Sequence, residues 1–237
     1  MTKSALFSLV FILATVKLGR AQTTKRLYVG DFMNQKVRRV TETRYLISKK
    51  RNGDEIDDPV GMDVMEFDEQ GNMVSFIDYF PVKRDGAKVF VIFHRHTYKY
   101  YTDAAGQKYV DAYQDSLKVS VGKINNEGRV ISVDYVDKKN RVCYTESHRY
   151  SDSNTVHTSS LFDLKGVLKT TVIYHYNKDG HIITMTSTDN KGNVTYESNY
   201  KYLTFDSETN WTKSTGAHIR GHKTEEFGAE RVYIYYP

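Results

Sequence analysis

His94 and His96 are the arrangement in this sequence that most resembles a metal site. Residues two positions apart on a β-strand point to the same face, so the two imidazoles could be neighbouring ligands of an ion such as Zn²⁺. Such a site needs further ligands, and the sequence does not show which residues would supply them. We therefore keep His94 and His96 as metal-site candidates beside the ordinary alternative of two strand histidines, and we expect no cofactor.

Other residue patterns with known chemistry do not occur. The sequence has no Gly-x-Ser-x-Gly elbow, no His-Glu-x-x-His and no phosphate-binding glycine loop, and Cys143 is its single cysteine. An internal disulfide is therefore excluded, and Cys143 is interpreted as an ordinary strand residue. The acids with the most regular spacing occupy one position of a repeated turn: Asp68, Asp137, Asp163 and Asp189. We predict no catalytic residue.

That turn belongs to a seven-residue sequence motif, here called the phrase, that occurs seven times along the chain. An apolar residue is followed by Asp, Asn or Ser, two variable residues, Gly or Asn, one more residue and a second apolar residue. The copies span 67–73, 124–130, 136–142, 150–156, 162–168, 176–182 and 188–194, the last with Thr188 in place of the first apolar residue. From Gly128 to Gly192 the fifth positions are spaced alternately by 12 and 14 residues, which gives a period of 26.

The chemistry of the phrase predicts a hairpin loop. Asp or Asn at the second position can bond the backbone two residues later, and Gly or Asn at the fifth tolerates positive φ. These are the requirements of a three-residue loop with a G1 bulge. The loop would pair Val136 with Val142, Tyr150 with Val156, Phe162 with Leu168 and Tyr176 with Ile182, all on one face. A two-residue loop at the same sites would shift the pairing by one residue.

The repeated hairpins predict an all-β fold, an antiparallel meander in which one period makes two strands. The sheet is flat, curled or partly folded over, and the sequence leaves open whether it forms a single layer, a sandwich or a partial barrel. Residues 121–237 carry the regular hairpins, whereas 22–120 is irregular, with strands at 36–48, 73–80 and 88–101 and a short helix within 107–117. No change of composition divides the chain, so we predict one domain over 22–237.

Tyrosines on one side of the long strands are the candidate ligand-binding residues. Tyr144, Tyr174, Tyr196 and Tyr200 share that side, while charged residues such as Lys169 and Glu197 take the other. Tyrosine combines a flat apolar ring with a polar tip, which suits partly wet interfaces. The four rings either pack as core or form an exposed aromatic shelf.

The N-terminus has the pattern of a secretory signal peptide. Lys3 precedes an apolar run over 5–16, and Gly19 and Ala21 stand where a signal peptidase reads small residues. Residues 1–21 are therefore predicted to be removed, and the apolar run is shorter than the roughly 20 residues of a membrane span. The mature chain is expected to be soluble, exported, and either periplasmic or extracellular.

Removal of the signal also changes the charge. The full chain has a formal net charge of +5, and Lys3, Lys17 and Arg20 leave with residues 1–21, so the mature chain carries +2. A surface this balanced gives no reason to expect nucleic acid as a partner.

The quoted repeat "YHYNKDGHIITMTSTDNKGNVTYESNYKY" resembles the YD repeats of RHS-type proteins, and "FDSETNWTKS" (205–214) resembles their YDxxGNWT variant. The resemblance covers 124–236 well and 67–80 in part, and it is strongest to small exported bacterial proteins of unknown function. It implies an architecture of hairpins and assigns no functional residue.

Two functional classes follow. The favoured one is an exported binding or scaffolding protein whose aromatic sheet surface receives a protein, a glycan or a lipid. The alternative is a hydrolase-type enzyme with an unrecognised site on an open β-sheet. A broad aromatic surface would favour binding, and a cleft with convergent carboxylates or histidines would favour catalysis.

Overall fold

The computed structural model of the protein describes residues 26–28, 31–33, 37–49, 55–153 and 155–237. The predicted signal peptide lies outside these residues. Strands account for the regular secondary structure of the described ranges, and no helix in them is long and apolar enough to cross a membrane.

The described residues form sixteen strands. The first eight are β1 Arg26–Tyr28, β2 Asp31–Met33, β3 Val37–Lys49, β4 Glu55–Phe67, β5 Met73–Arg84, β6 Ala87–Thr102, β7 Lys108–Gln114 and β8 Leu117–Ile124. The second eight are β9 Val130–Val136, β10 Val142–Tyr150, β11 Val156–Asp163, β12 Leu168–Tyr176, β13 Ile182–Asp189, β14 Val194–Phe205, β15 Trp211–Arg220 and β16 Lys223–Tyr235.

Strands β3 to β16 form a closed antiparallel barrel of 14 strands, and β1 pairs only with β2. Each barrel strand pairs with its neighbours in sequence, and β16 returns to β3 through a ladder from Phe227–Leu46 to Tyr235–Val37. The predicted antiparallel meander is confirmed. A single-layered or folded-over sheet is wrong, because this last ladder joins the two edges and leaves neither unpaired.

The repeated turns are built as predicted. The Asp137 carboxylate accepts hydrogen bonds from the backbone N–H groups of Lys139 (2.8 Å) and Arg141 (3.0 Å). At the fifth position Gly180 has φ +82° and Asn140 has φ +58°. Asn154, the fifth residue of another copy, lies outside the described residues.

Three of the four predicted cross-strand pairs are present, namely Val136–Val142, Phe162–Leu168 and Tyr176–Ile182, while Tyr150 pairs with His157 instead of Val156. Their placement on one face is wrong. Tyr176 is buried on the same side of β12 as Tyr174, whereas Val136 follows the buried Tyr135 on β9 and so lies on the opposite, outward side. A bulge beside each turn changes the facing of the residues next to it.

The first half of the chain is less irregular than predicted. The range 107–117 contains β7 and a turn at Asp115 and Ser116 in place of a helix. Tyr109 of β7 stacks on Tyr101 of β6 with ring centroids 5.4 Å apart. Strands β3 to β8 thus supply six of the barrel strands, because pairing with their neighbours overrides the local pattern.

The two faces of the barrel wall differ in polarity. On β13 Met185 is 2% exposed and faces the interior, whereas Thr184 and Thr186 face outward. On β14 the outward positions include Glu197 and Lys201. On these two strands polar side chains therefore occupy the outward positions named here.

The two ends of the barrel also differ. The end at the turns 68–72, 125–129, 177–181 and 206–210, here the packed end, is filled by buried side chains such as Met73 (4% exposed) and Trp211 (4%). The opposite end, at the turns 85–86, 137–141, 163–167, 189–193 and 221–222, is here the open end. Its inward-facing side chains, among them His94, Tyr144, His218 and Phe227, are partly exposed.

Candidate functional site

An aromatic cluster lines the open end on strands β14 to β16. The His218 ring stacks on Phe227 with centroids 4.1 Å apart and 14° between planes. Tyr196 lies 5.3 Å from His218, and Tyr200 meets Phe227 edge-on at 5.4 Å. These four residues are called the aromatic platform. Tyr196 is buried, and the other three are partly exposed.

Strand register and one glycine create the platform. Tyr200 pairs with Gly216, which pairs with Phe227, so the three positions form a row across the sheet. A Cβ on Gly216 would lie 2.5 Å from the Phe227 ring and 2.1 Å from the backbone oxygen of Asn199. Because Gly216 has no side chain, Phe227 can lie across β15 and reach both Tyr200 and His218.

Hydrogen bonds fix the imidazole of the platform. His218 Nδ1 bonds to the hydroxyl of Tyr196 and, at 2.8 Å, to the Ser198 hydroxyl. Burial lowers the pKa of His218 to about 4, and the positive charge of Arg220 makes a smaller contribution in the same direction. The ring is therefore neutral at pH 7 and presents an uncharged aromatic face. Arg220 itself lies 5.0 Å above the Tyr196 ring.

A charged group adjoins the platform on strands β3 to β5. The Arg44 guanidinium bonds Asp63 at 2.9 Å and Asp78 at 3.2 Å, and it lies over Gly61. Burial raises the pKa of Asp63 well above its usual value, although the Arg44 charge opposes this shift. Ala229, two residues from Phe227, pairs with Arg44, so the charged group and the platform are neighbours. The open end therefore offers both apolar and ionic contacts.

A second polar group lies deep in the barrel on β9 to β11. Glu146 is 0% exposed and accepts hydrogen bonds from the hydroxyls of Tyr135 (2.5 Å) and Ser159. His148 Nε2 lies 3.8 Å from Glu146, and His148 Nδ1 lies 3.1 Å from His157 Nε2. Burial lowers the pKa of both imidazoles, that of His157 to about 3. This group of carboxylate, imidazoles and hydroxyl is enclosed by the barrel.

The sequence did not single out the deep group, although a signal was present. Glu146 and His148 are two residues apart on β10, as His157 and Ser159 are on β11. That is the spacing that drew attention to His94 and His96. Nothing local indicated that β10 and β11 would bring the two pairs side by side.

The four predicted tyrosines all face the barrel interior, so they form no shelf on its outer surface. Tyr196 and Tyr200 belong to the platform. Tyr174 is 6% exposed and stacks on His157 at 5.2 Å, deep in the barrel. Tyr144, paired with Tyr135, packs against the main core on another part of the wall. The structure thus brings two of the four together at the open end.

The metal-site candidates share the inward face, as predicted. The rings of His94 and His96 are 6.0 Å apart, and His96 is 2% exposed beside Phe76. Burial lowers the pKa of His96 to about 4, and the neighbouring His94 makes a smaller contribution in the same direction. In the described part of the chain no group of three or more His, Cys, Asp or Glu side chains is placed to hold a metal ion. A further ligand for the pair is not found there.

Comparisons with known proteins give no family. The sequence matches no protein-family model and no curated protein. Among solved structures, a porin-like protein from Bacteroides uniformis has 8% identity and a TM-score of 0.49 and covers 84% of this chain and 98% of its own. A putative outer membrane lipoprotein-sorting protein domain from Vibrio parahaemolyticus has 12% identity, a TM-score of 0.36, and coverage of 82% and 85%. A DUF1329 family protein from Desulfovibrio piger has 11% identity, a TM-score of 0.34, and coverage of 84% and 86%.

The resemblance to RHS-type YD-repeat proteins is wrong. No family model matches the chain, and the hairpins close into a barrel. The shared phrase reflects the physical requirements of one hairpin loop, an oxygen acceptor and a residue at positive φ, which unrelated hairpin proteins also meet.

Proposed function

We propose that the protein is an exported binding protein that takes a lipid-like ligand at the open end of the barrel. The single observation that carries the proposal is the aromatic platform, an inward-facing cluster left partly exposed where the packed end buries its equivalent side chains. Pockets for small ligands are lined in this way, with mostly apolar walls and a few placed polar groups.

The platform favours an apolar ligand over a glycan. The Tyr196 hydroxyl and His218 Nδ1 already bond to each other, so these two polar atoms have partners within the protein. Phe227 adds an aromatic side chain without polar atoms, which contributes by burial of apolar surface. Arg44 and its carboxylates stand at the side, where the polar end of an amphiphile would lie.

Binding of the neutral fluorescent probe N-phenyl-1-naphthylamine tests the proposal. We expect its emission to rise with the exported chain, and Phe227→Ala or Tyr200→Ala to weaken its binding about tenfold, the equivalent of one aromatic contact. Tyr101→Ala is the matched control, because Tyr101 belongs to a stacked tyrosine pair on the outer face and is 44% exposed.

Two results would contradict the proposal. One is no rise in probe emission with a folded protein. The other is equal weakening by Tyr101→Ala and Phe227→Ala, which would place the probe on the outer surface. Melting temperatures of all variants show whether a lost signal reflects lost folding.

We do not assign the hydrolase alternative to the deep polar group. Glu146, His148, His157 and Ser159 are all between 0% and 5% exposed, so a substrate bound at the open end does not touch them in this conformation.

A further inference from the structure

The longest hairpin of the barrel projects beyond the wall at the open end. β4 pairs with β5 only as far as Met62–Tyr79, and β7 pairs with β6 only from Gln114–His96 onward. Beyond these limits, residues 79–92 pair with each other, from Tyr79–Ile92 to Arg84–Ala87, and among them Tyr79 alone also pairs with β4. This two-stranded segment is called the ribbon, and each of its strands spans roughly 20 Å.

Several large exposed apolar side chains lie together on the ribbon and at its base. Phe80 is 55% exposed, Phe93 56%, Ile92 49% and Val89 42%. The first two are in ring contact at 6.2 Å and so make one apolar surface. Concentrations of exposed apolar side chains mark sites of interaction with proteins or membranes.

Apolar side chains occupy both faces of the ribbon. Val82 pairs with Val89 on one face, and Tyr79 pairs with Ile92 on the other. A groove on a protein partner would cover one face and leave the second in water. The interfacial region of a bilayer surrounds an inserted ribbon and accepts both faces.

The tip of the ribbon is basic. Lys83, Arg84 and Lys88 surround its turn, with Asp85 as the acidic residue there. Lys88 bonds Asp58 and the Pro59 carbonyl of the neighbouring hairpin, which braces the ribbon. Lys83 and Arg84 have no ion-pair partner among the described residues and are exposed. Basic residues beside apolar side chains are the combination that binds anionic membranes.

We propose that the ribbon docks the protein on the surface of an anionic phospholipid bilayer. The ribbon lies in the plane of the membrane interface, where Phe80, Ile92 and Phe93 enter the boundary between head groups and acyl chains. Lys83 and Arg84, at the other end of the ribbon, contact lipid phosphates at the same depth. The ribbon stands at the same end as the aromatic platform, so docking turns the open end of the barrel toward the lipid. The inference does not depend on ligand binding at the platform, since the ribbon would dock whatever the barrel holds.

Vesicle co-sedimentation tests the docking. The exported chain is mixed with vesicles of phosphatidylglycerol and phosphatidylcholine, or of phosphatidylcholine alone. We expect stronger binding to the anionic vesicles, and Lys83→Ala with Arg84→Ala to lower that binding at least about tenfold. Phe80→Ser with Phe93→Ser should abolish binding to both kinds of vesicle.

Matched controls come from other turns at the same end. Lys138→Ala with Lys139→Ala removes two exposed basic residues of the turn 137–141. Leu164→Ser with Val167→Ser removes apolar side chains that are 70% and 45% exposed. Both controls should bind anionic vesicles as the unchanged protein does.

Three outcomes would overturn the inference. The unchanged protein could remain in solution with both kinds of vesicle, or the ribbon variants could bind no less than their controls. Light scattering could instead show a dimer that the ribbon variants dissociate, which would make a second copy of this chain the occupant. The probe assay at the platform is separate, so failure of either proposal is recognised independently of the other.

Discussion

Two stacks centred on histidine, one deep in the barrel and one at its open end, use the same local design. In the deep stack His157 lies between Tyr150 at 4.5 Å and Tyr174 at 5.2 Å, with interplanar angles of 8° and 13°. At the open end His218 stacks on Phe227 at 4.1 Å and touches Tyr196. Each stack crosses three neighbouring strands at inward-facing positions.

The stacks differ in enclosure. His157 is 1% exposed and Tyr174 6%, whereas His218 and Phe227 keep part of their surface open. A side chain that is fully packed contributes to stability, and a comparable side chain left partly open can contribute to binding. We therefore expect depth along the barrel, more than residue type, to separate aromatic residues that stabilise the fold from those of the proposed ligand site.

Truncation of one ring in each stack should give the largest contrast. We expect Tyr174→Ala to lower the free energy of unfolding by about 3–5 kcal/mol, because it leaves a cavity in a packed interior. Phe227→Ala should cost less than about 2 kcal/mol, because its ring is only partly removed from water in the folded state. Urea denaturation of both variants measures the difference. Equal losses would mean that the platform is core and would remove the basis of the proposed site.

Gly216→Ala should displace the Phe227 ring of the platform, because the new side chain would occupy the space that this ring crosses. The added Cβ meets the Asn199 backbone oxygen and the Phe227 ring, so strands β14 and β15 or the ring must shift. We expect a loss of about 1–3 kcal/mol, typical of overpacking, together with weaker probe binding. Gly228→Ala is the control on β16, since the nearest atom to its Cβ would be 3.5 Å away. If Gly216→Ala leaves both stability and probe binding unchanged, close contact at Gly216 does not position Phe227.

Lowering the pH should reduce the free energy of unfolding through protonation of His157 in the deep stack. Burial first, then the neighbouring His148 and Arg129, lower its pKa from 6.5 to about 3. Between these pH values the unfolded chain binds a proton that the folded His157 does not, so this contribution is complete above pH 6.5 and is lost as the pH falls toward 3. The slope expected is about 1.4 kcal/mol per pH unit for this one group.

His157→Phe tests this contribution, because phenylalanine keeps an aromatic ring between the two tyrosines and removes the titrating group. Unfolding midpoints in urea from pH 7 to pH 4 should fall less steeply in the variant than in the unchanged protein. Identical slopes would mean that His157 is already protonated in the folded state.

The turns are the part of the fold that the sequence specified most completely. Asp137, Asn140 and Gly180 perform the roles read from the repeat, because a turn is decided by residues within five positions of one another. Strand alternation is equally local, so the shared side of Tyr196 and Tyr200 could also be predicted. The bulges were not predicted, so the side of the sheet on which the residues beside the turns lie was predicted wrongly. One extra residue in a strand reverses the side to which the following side chains point.

Closure of the barrel was beyond local reasoning. Nothing near Val37 or Tyr235 indicates that they pair, and their contact joins residues from opposite ends of the described chain. The predicted helix at 107–117 failed for the same reason, since Tyr109 finds its partner on β6.

The sequence by itself determined the turns and strands of the repeated part and the side of their strands on which Tyr174, Tyr196 and Tyr200 lie. Only the tertiary structure decided which of those residues are enclosed, because burial depends on how far along the barrel each position falls once β16 has met β3. Tyr174 and Tyr200 are read alike from the sequence, yet one is packed against His157 and the other lies at the open end. Local periodicity determines the side of a strand on which a side chain lies, whereas its position along the barrel axis is set by how the barrel closes.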